Sequence, residues 1–278
     1  MNFKTIASMF GLTLLIISCK NTSKEKHIEE NIDQKTTTVV FKNKGHELVH
    51  NMVEKVGNYN KLRIKKDVIY NYTYTTPDSK SDISTEKYIF DGELSYGIYR
   101  QHQRTLPELI GTMEQGYDGI NYWLKIDEKE VLDEVAVNRV KFNRPTNFYW
   151  FTMFQKLLDP GLHYEYLGNK KIKNTDFEIV KISFETQKNK PTDIYQIYIN
   201  KKTGLVDQFL FTVADFGVVD TPFLMQIEYE QIDNFLIPTK RKYKKSTWNA
   251  DINDEPWILV NWTDIKFNNN LKKKDFIK

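Results

Sequence analysis

Along residues 43–57 the apolar side chains fall at Leu48, Val49, Met52, Val53 and Val56, the spacing that gathers one face of an α-helix, and Gly57-Asn58 supplies its stop. Beyond that point the apolar period changes from helical to two. Runs at 69–74, 87–90, 94–100 and 120–126 alternate as half-buried strands do, separated by turn chemistry such as Thr76-Pro77-Asp78-Ser79, Asp91-Gly92 and Asp118-Gly119. A second helix is predicted to start after Asn143-Arg144-Pro145, where proline near the first turn loses no needed hydrogen bond. It carries Phe148, Tyr149, Trp150, Phe151, Met153, Phe154, Leu157 and Leu158 before Asp159-Pro160-Gly161 ends it. A helix apolar nearly all round is buried on more than one side.

Strand patterns then resume at 164–167, 177–184, 194–199, 205–213, 223–232, 236–246 and 257–267, with a tight hairpin at Asn200-Lys201-Lys202-Thr203-Gly204. About ten or more strands joined by short turns imply one continuous antiparallel meander, too many for a flat open sheet. The expected fold is α+β: a strongly curved, half-open antiparallel β-barrel with an N-terminal helix and an aromatic helical lid. No composition break divides residues 39–278, so they are expected to form one domain.

The N-terminus has a different character. One basic charge at Lys4 precedes a short apolar run over residues 6–17, as in the apolar segment of a signal peptide, and polarity returns at Lys20-Asn21-Thr22-Ser23-Lys24. A membrane span needs about 20 apolar residues, more than this run supplies. Leu15-Ile16-Ile17-Ser18-Cys19 resembles the lipobox of bacterial lipoproteins. That resemblance implies a signal peptide over residues 1–18, lipid attachment at Cys19, and export to the cell envelope. Residues 19–38 lack apolar periodicity and read as a disordered tether. Lys20 is not the aspartate that retains lipoproteins at the inner membrane, which makes the outer membrane the expected destination. Cys19 is the only cysteine, so no disulfide framework or thiolate metal cluster can form.

Tether, amphipathic helix, long curved meander and aromatic helical insertion together resemble the LolA/LolB/RseB-like lipoprotein superfold, and within it uncharacterised lipoproteins of Bacteroidetes. Three phrases carry the likeness: Tyr117-Asp118-Gly119-Ile120-Asn121-Tyr122-Trp123, Tyr198-Ile199-Asn200-Lys201-Lys202-Thr203-Gly204-Leu205-Val206, and Leu236-Ile237-Pro238-Thr239-Lys240. The resemblance implies an apolar cavity between half-barrel and lid that holds acyl chains or senses lipoproteins. With Cys19 lipidated, it implies a stationary receptor or sensor rather than a shuttle.

Aromatic residues make up 14% of the chain. Tyr70, Tyr72 and Tyr74 share one side of a strand, and Phe148, Trp150, Phe151 and Phe154 sit in the lid helix; with Trp123 they are candidates to line an apolar ligand, although each equally suits a large core. The competing motif is His46-Glu47-Leu48-Val49-His50, which fits HExxH: on a helix both imidazoles could bind zinc, with Glu47 as general base of a hydrolase. A catalytic zinc also needs a third protein ligand. Glu54 lies on the same helix and does not converge with both imidazoles, Asp67 is the other available acid, and the expected reading is an amphipathic packing helix whose His46, Glu47, His50 and Glu54 face water.

The 278-residue chain has 40 basic and 37 acidic side chains, net +3, which gives no electrostatic case for nucleic acid. The basic run Lys240-Arg241-Lys242-Tyr243-Lys244-Lys245 is expected to be a solvated strand face, with an anionic membrane surface as the alternative. No nucleophile elbow or phosphate loop occurs. The expectation is therefore a non-catalytic envelope lipoprotein without cofactor that binds a lipid, acyl chain or other apolar ligand. The alternatives are the zinc hydrolase and a ligand-free lipoprotein that docks another envelope protein.

Overall fold

The computed structural model describes residues 39–185 and 191–278; the expected signal peptide, the lipid site expected at Cys19 and the expected tether to residue 38 lie outside the described residues. Helix α1, Lys44–Val56, is capped by the Asn43 side chain, which accepts from the His46 N–H, and it buries Val49, Met52, Val53 and Val56. Gly57 follows with φ +91°, where an added Cβ would lie 2.4 Å from the Phe235 ring. Both the backbone sign and the close approach require glycine there. A short helix α2, Tyr59–Ile64, leads into the sheet.

Six strands run in order: β1 Asp67–Thr75, β2 Ser81–Ile89, β3 Leu94–His102, β4 Met113–Tyr117, β5 Tyr122–Ile126 and β6 Lys129–Glu130. Helix α3, Glu134–Lys156, comes next. Seven more strands follow it: β7 Leu162–Ile172, β8 Thr175–Phe184, β9 Ile194–Asn200, β10 Val206–Val213, β11 Val218–Ile232, β12 Phe235–Lys245 and β13 Ile258–Phe267. All thirteen form one antiparallel, curved and unclosed sheet in the order β6-β5-β4-β3-β2-β1-β13-β12-β11-β10-β9-β8-β7.

The half-open α+β architecture is as the periodicity predicts, but the chain does not run as one continuous meander. It runs outward from β1 to β6, crosses along α3, and starts again at the opposite edge with β7. The two meanders join where β1 pairs with β13, with Tyr72 opposite Trp262. A helix of this length spans ~34 Å at 1.5 Å per residue, which lets one element carry the chain from edge to edge.

Helix α3 also begins well before its expected start. Asp133 caps it, accepting from the Ala136 N–H, and Pro145 sits inside rather than at the first turn. Proline removes the bond to the carbonyl of Lys141, and both residues are exposed, so water can satisfy that carbonyl.

The inner face of the sheet carries the main core. Tyr70 stacks on Phe151 with centroids 5.0 Å apart, Phe151 meets Trp262 at 5.4 Å, and Phe154 meets Phe209 at 5.7 Å. On β2 the inward positions are Asp82, Ser84, Glu86 and Tyr88, all buried. Arg144 of α3 meets Glu86 there: Nη1 donates to Oε2 at 2.8 Å, and both side chains are fully buried. Arg144 Nη2 also donates to the Tyr99 hydroxyl at 2.8 Å, while Ser84 and Tyr88 donate to the Glu86 carboxylate. At Gly97, an added Cβ would lie 2.6 Å from Arg144 Nη1, so glycine leaves room for this pair.

The basic run at 240–245 is not uniformly solvated. Lys240, Lys242 and Lys245 are exposed, whereas strand alternation turns Arg241 and Tyr243 inward. Arg241 donates to the Pro238 and Trp150 carbonyls and lies 4.0 Å over the Trp262 ring. Lys244 is also buried, its ammonium donating to the Asn253 and Glu255 carbonyls.

Candidate ligand-binding site

Helix α3 does not lie evenly across the sheet. Along its N-terminal half Ala136 and Val140 pack with Tyr99, Met113 and Leu124 of the first meander, so that side rests on β3–β5. Arg139, Phe142, Asn143, Thr146, Asn147 and Trp150 line a gap between the helix and the sheet, with Asn143 and Asn147 also donating to Gln115 and Tyr99 of the first meander. The gap is a cavity of about 370 Å³. That falls at the lower end of the range usual for small-molecule sites.

The walls are built by strand alternation. Tyr72 and Tyr74 come from β1, Tyr195 from β9, Phe211 from β10, Phe223 from β11, Tyr243 from β12 and Ile258 from β13. The Trp150 ring meets Phe211 edge-on at 6.0 Å and Tyr243 at 6.1 Å. The Tyr74 and Tyr243 hydroxyls bond to each other, which leaves the phenol rings to present apolar faces. Burial pushes the phenols of Tyr72, Tyr195 and Tyr243 well above their ordinary range, so they are neutral at physiological pH.

Charge is placed at the margins. Arg104 lies 4.0 Å over the Tyr74 ring, with Nε 3.2 Å from Asp82 Oδ2. Arg139 sits 5.6 Å from the rings of both Phe142 and Phe216. On the far side Asp193 accepts from the Ala214 N–H at 2.7 Å, and burial raises its carboxyl above the usual carboxylate value. Asp215 and Phe216 belong to a 3-10 turn, Ala214–Phe216, that joins β10 to β11 at the rim.

Of the aromatic residues singled out from sequence, Tyr72, Tyr74 and Trp150 line this cavity. Tyr70, Phe148, Phe151 and Phe154 lie in the solid core beneath the C-terminal half of α3. Trp123 is elsewhere, in a cluster with Leu94, Tyr96 and Phe276, its Nε1 donating to the Phe276 carbonyl. The sequence reading missed Arg139, Phe142, Tyr195, Phe211, Phe223 and Tyr243. Phe142 and Arg139 precede the expected helix start, and the strand residues carried a period-2 signal that marks a buried face without telling cavity from core.

The two histidines of the HExxH motif are half-buried rather than turned to water. The His46 ring stacks on Tyr164 with centroids 5.0 Å apart, its Nδ1 accepts from the Lys42 N–H, and Phe41 packs edge-on against both imidazoles. Desolvation, with Lys42 next, lowers the His46 pKa. Glu54 is engaged by Asn58 and Lys61, and Asp67 is buried, accepting from the backbone of Asn269 and Leu271. Among the described residues no group of three or more His, Cys, Asp or Glu converges as a metal site.

No protein-family model matches the chain, and no curated protein matches it by sequence. Solved structures do resemble it. A LolA superfamily protein from Nitrosomonas europaea is 10% identical, covering 86% of this chain and 99% of its own, with a TM-score of 0.48. A putative outer membrane lipoprotein-sorting protein domain from Vibrio parahaemolyticus is 10% identical over 82% of this chain and 97% of its own, TM-score 0.45. A DUF1329 family protein from Desulfovibrio piger is 12% identical over 84% and 95%, TM-score 0.48.

Proposed function

We propose that the protein is a non-catalytic binding protein of the cell envelope that takes the apolar chain of a lipid or similar amphiphile into the cavity between α3 and the second meander. The observation that supports this is the cavity itself: a gap of about 370 Å³ lined by nine aromatic residues. Most of these rings are already largely buried, and the apolar surface they keep toward the gap would gain roughly 25 cal/mol per Å² on contact with a bound hydrocarbon. The structures similar in fold are described as LolA superfamily and lipoprotein-sorting proteins, and this reading keeps the chain in the same broad class of role.

Lipidation at Cys19, with the folded body tethered to the outer membrane, completes the reading. It makes the protein a stationary receptor whose ligand comes to it. Incorporation of labelled fatty acid that persists in Cys19→Ser would overturn that anchor.

The binding reading is tested by filling the cavity. Thr146 faces it from α3 and is half-buried, so Thr146→Phe adds a ring into open space without displacing a core residue. The variant is expected to fold as the parent does and to bind dodecanol, measured by calorimetric titration, at least about tenfold more weakly, the scale of 1.4 kcal/mol. Unchanged affinity would remove the cavity from the account.

A further inference from the structure

The cavity is lined by two cations, Arg104 and Arg139, and two carboxylates, Asp193 and Asp215, and the two arginines differ in how they are partnered. Arg104 and Arg139 both line the cavity and lie near one another, and the neighbouring carboxylate pairs with Arg104 alone. That carboxylate, Asp82, is fully buried and already committed: Oδ1 accepts from the backbone N–H groups of Arg104 and Thr105, and Oδ2 accepts from the Thr105 hydroxyl and pairs with Arg104. Arg139 makes no hydrogen bond or ion pair with any described residue; its neighbours are the Phe142 and Phe216 rings. Burial and then the Arg104 cation push its guanidinium below its ordinary value. A half-dry guanidinium next to a second cation gains more from an incoming anion than an exposed surface arginine does.

The geometry points to an acidic amphiphile as the ligand, its carboxylate or phosphate group held by Arg139 at the cavity margin and its hydrocarbon chain laid along Trp150, Phe211, Phe223 and Tyr243. This rests on the binding role proposed above and specifies the charge and orientation of what is bound. Arginine suits the task because its planar fork meets either oxyanion with two parallel N–H bonds. Arg104 then supplies field rather than contact, since its Nε is held at Asp82 and its plane lies on Tyr74.

The experiment uses the full chain and four probes of equal chain length below their micelle concentrations: dodecanoate, dodecyl phosphate, dodecanol and dodecyltrimethylammonium. Dodecanoate or dodecyl phosphate is expected to bind at least about tenfold more tightly than dodecanol, and the cationic probe more weakly than dodecanol. The stronger of the two acids identifies the source, a free fatty acid or a phospholipid-type headgroup. In Arg139→Gln, a substitution that breaks no contact to another charged group, the preference for the acid is expected to collapse while dodecanol binding is retained. Equal binding of dodecanol and both acids, or an acid preference that survives Arg139→Gln, overturns the acidic ligand and leaves the cavity's binding role standing. Failure of all four probes overturns the binding role itself.

Discussion

Replacing Arg144 by methionine is expected to lower the unfolding free energy by about 3–5 kcal/mol, because Glu86 would be left as an unpaired charge in a dry interior. Both side chains of the pair have no solvent exposure. The carboxylate would keep only the Ser84 and Tyr88 hydroxyls as donors, at 2.7 and 3.0 Å. Glu86→Leu alone strands the guanidinium and is expected to cost as much. The double variant Arg144→Met/Glu86→Leu should recover most of the loss, since an apolar pair of similar volume can replace a buried ion pair at little net cost. Urea unfolding of the four proteins, followed by near-ultraviolet circular dichroism, gives the cycle. Additive losses in the double variant would mean that the two charges do not stabilise each other. The pair ties the middle of α3 to β2, so these variants also report on the element that roofs the cavity.

Raising the pH is expected to unfold the protein cooperatively soon after it passes 10. Tyr70, Tyr72, Tyr88, Tyr195 and Tyr243 are buried, and burial pushes each phenol well above its ordinary value of 10.0. The unfolded chain ionises them near that ordinary value. Their folded pKa values are raised, so the stability they contribute is fully present below pH 10 and is lost as pH climbs toward the folded values. Each group contributes about 1.4 kcal/mol per pH unit, and five in concert give on the order of 7 kcal/mol per unit. Against a usual stability of about 5–15 kcal/mol, one to two pH units are enough. Phenolate absorbance from the buried rings should therefore appear together with loss of the far-ultraviolet signal. Full tyrosine ionisation before any loss of structure would contradict the buried aromatic face.

The same buried face explains how much of the fold was legible. Strand β1 alternates in the ordinary sense, with its tyrosines turned inward, whereas β9 and β10 are buried on both faces along most of their length and read as apolar runs between turns. The first half of β2 was missed because its inward residues are Asp82, Ser84 and Glu86, each serving an arginine or a neighbouring carboxylate, so the polar positions mark the inside. The early start of α3 was hidden by Pro145, which reads as a first-turn residue but is tolerated mid-helix because it and Lys141, whose carbonyl loses its partner, are exposed. Pairing of β1 with β13 brings together distant parts of the chain, and no local pattern encodes it. Arg241 carried a basic-face signal that strand register overrode.

At the site, Tyr72, Tyr74 and Trp150 were found by being aromatic on an inward face, a test that Tyr70, Phe148, Phe151 and Phe154 pass equally well. What separates the two groups is position along α3: its N-terminal half leans onto β3–β5 and leaves a gap on its other side, while its C-terminal half closes onto the core. That asymmetry depends on long-range packing. Arg139 becomes informative only when the absence of a partner among the described residues can be seen.

The central claim is that this gap holds a hydrocarbon chain, and Trp150, the one tryptophan among the cavity's lining residues, reports on it directly. Quenching of tryptophan fluorescence by a bromine-substituted dodecanol is predicted to be saturable in the parent protein, to lose its saturable part in Trp150→Phe, and to be strongly weakened in Thr146→Phe. Quenching that never saturates, or that saturates unchanged in Trp150→Phe, would place the hydrocarbon somewhere other than this cavity.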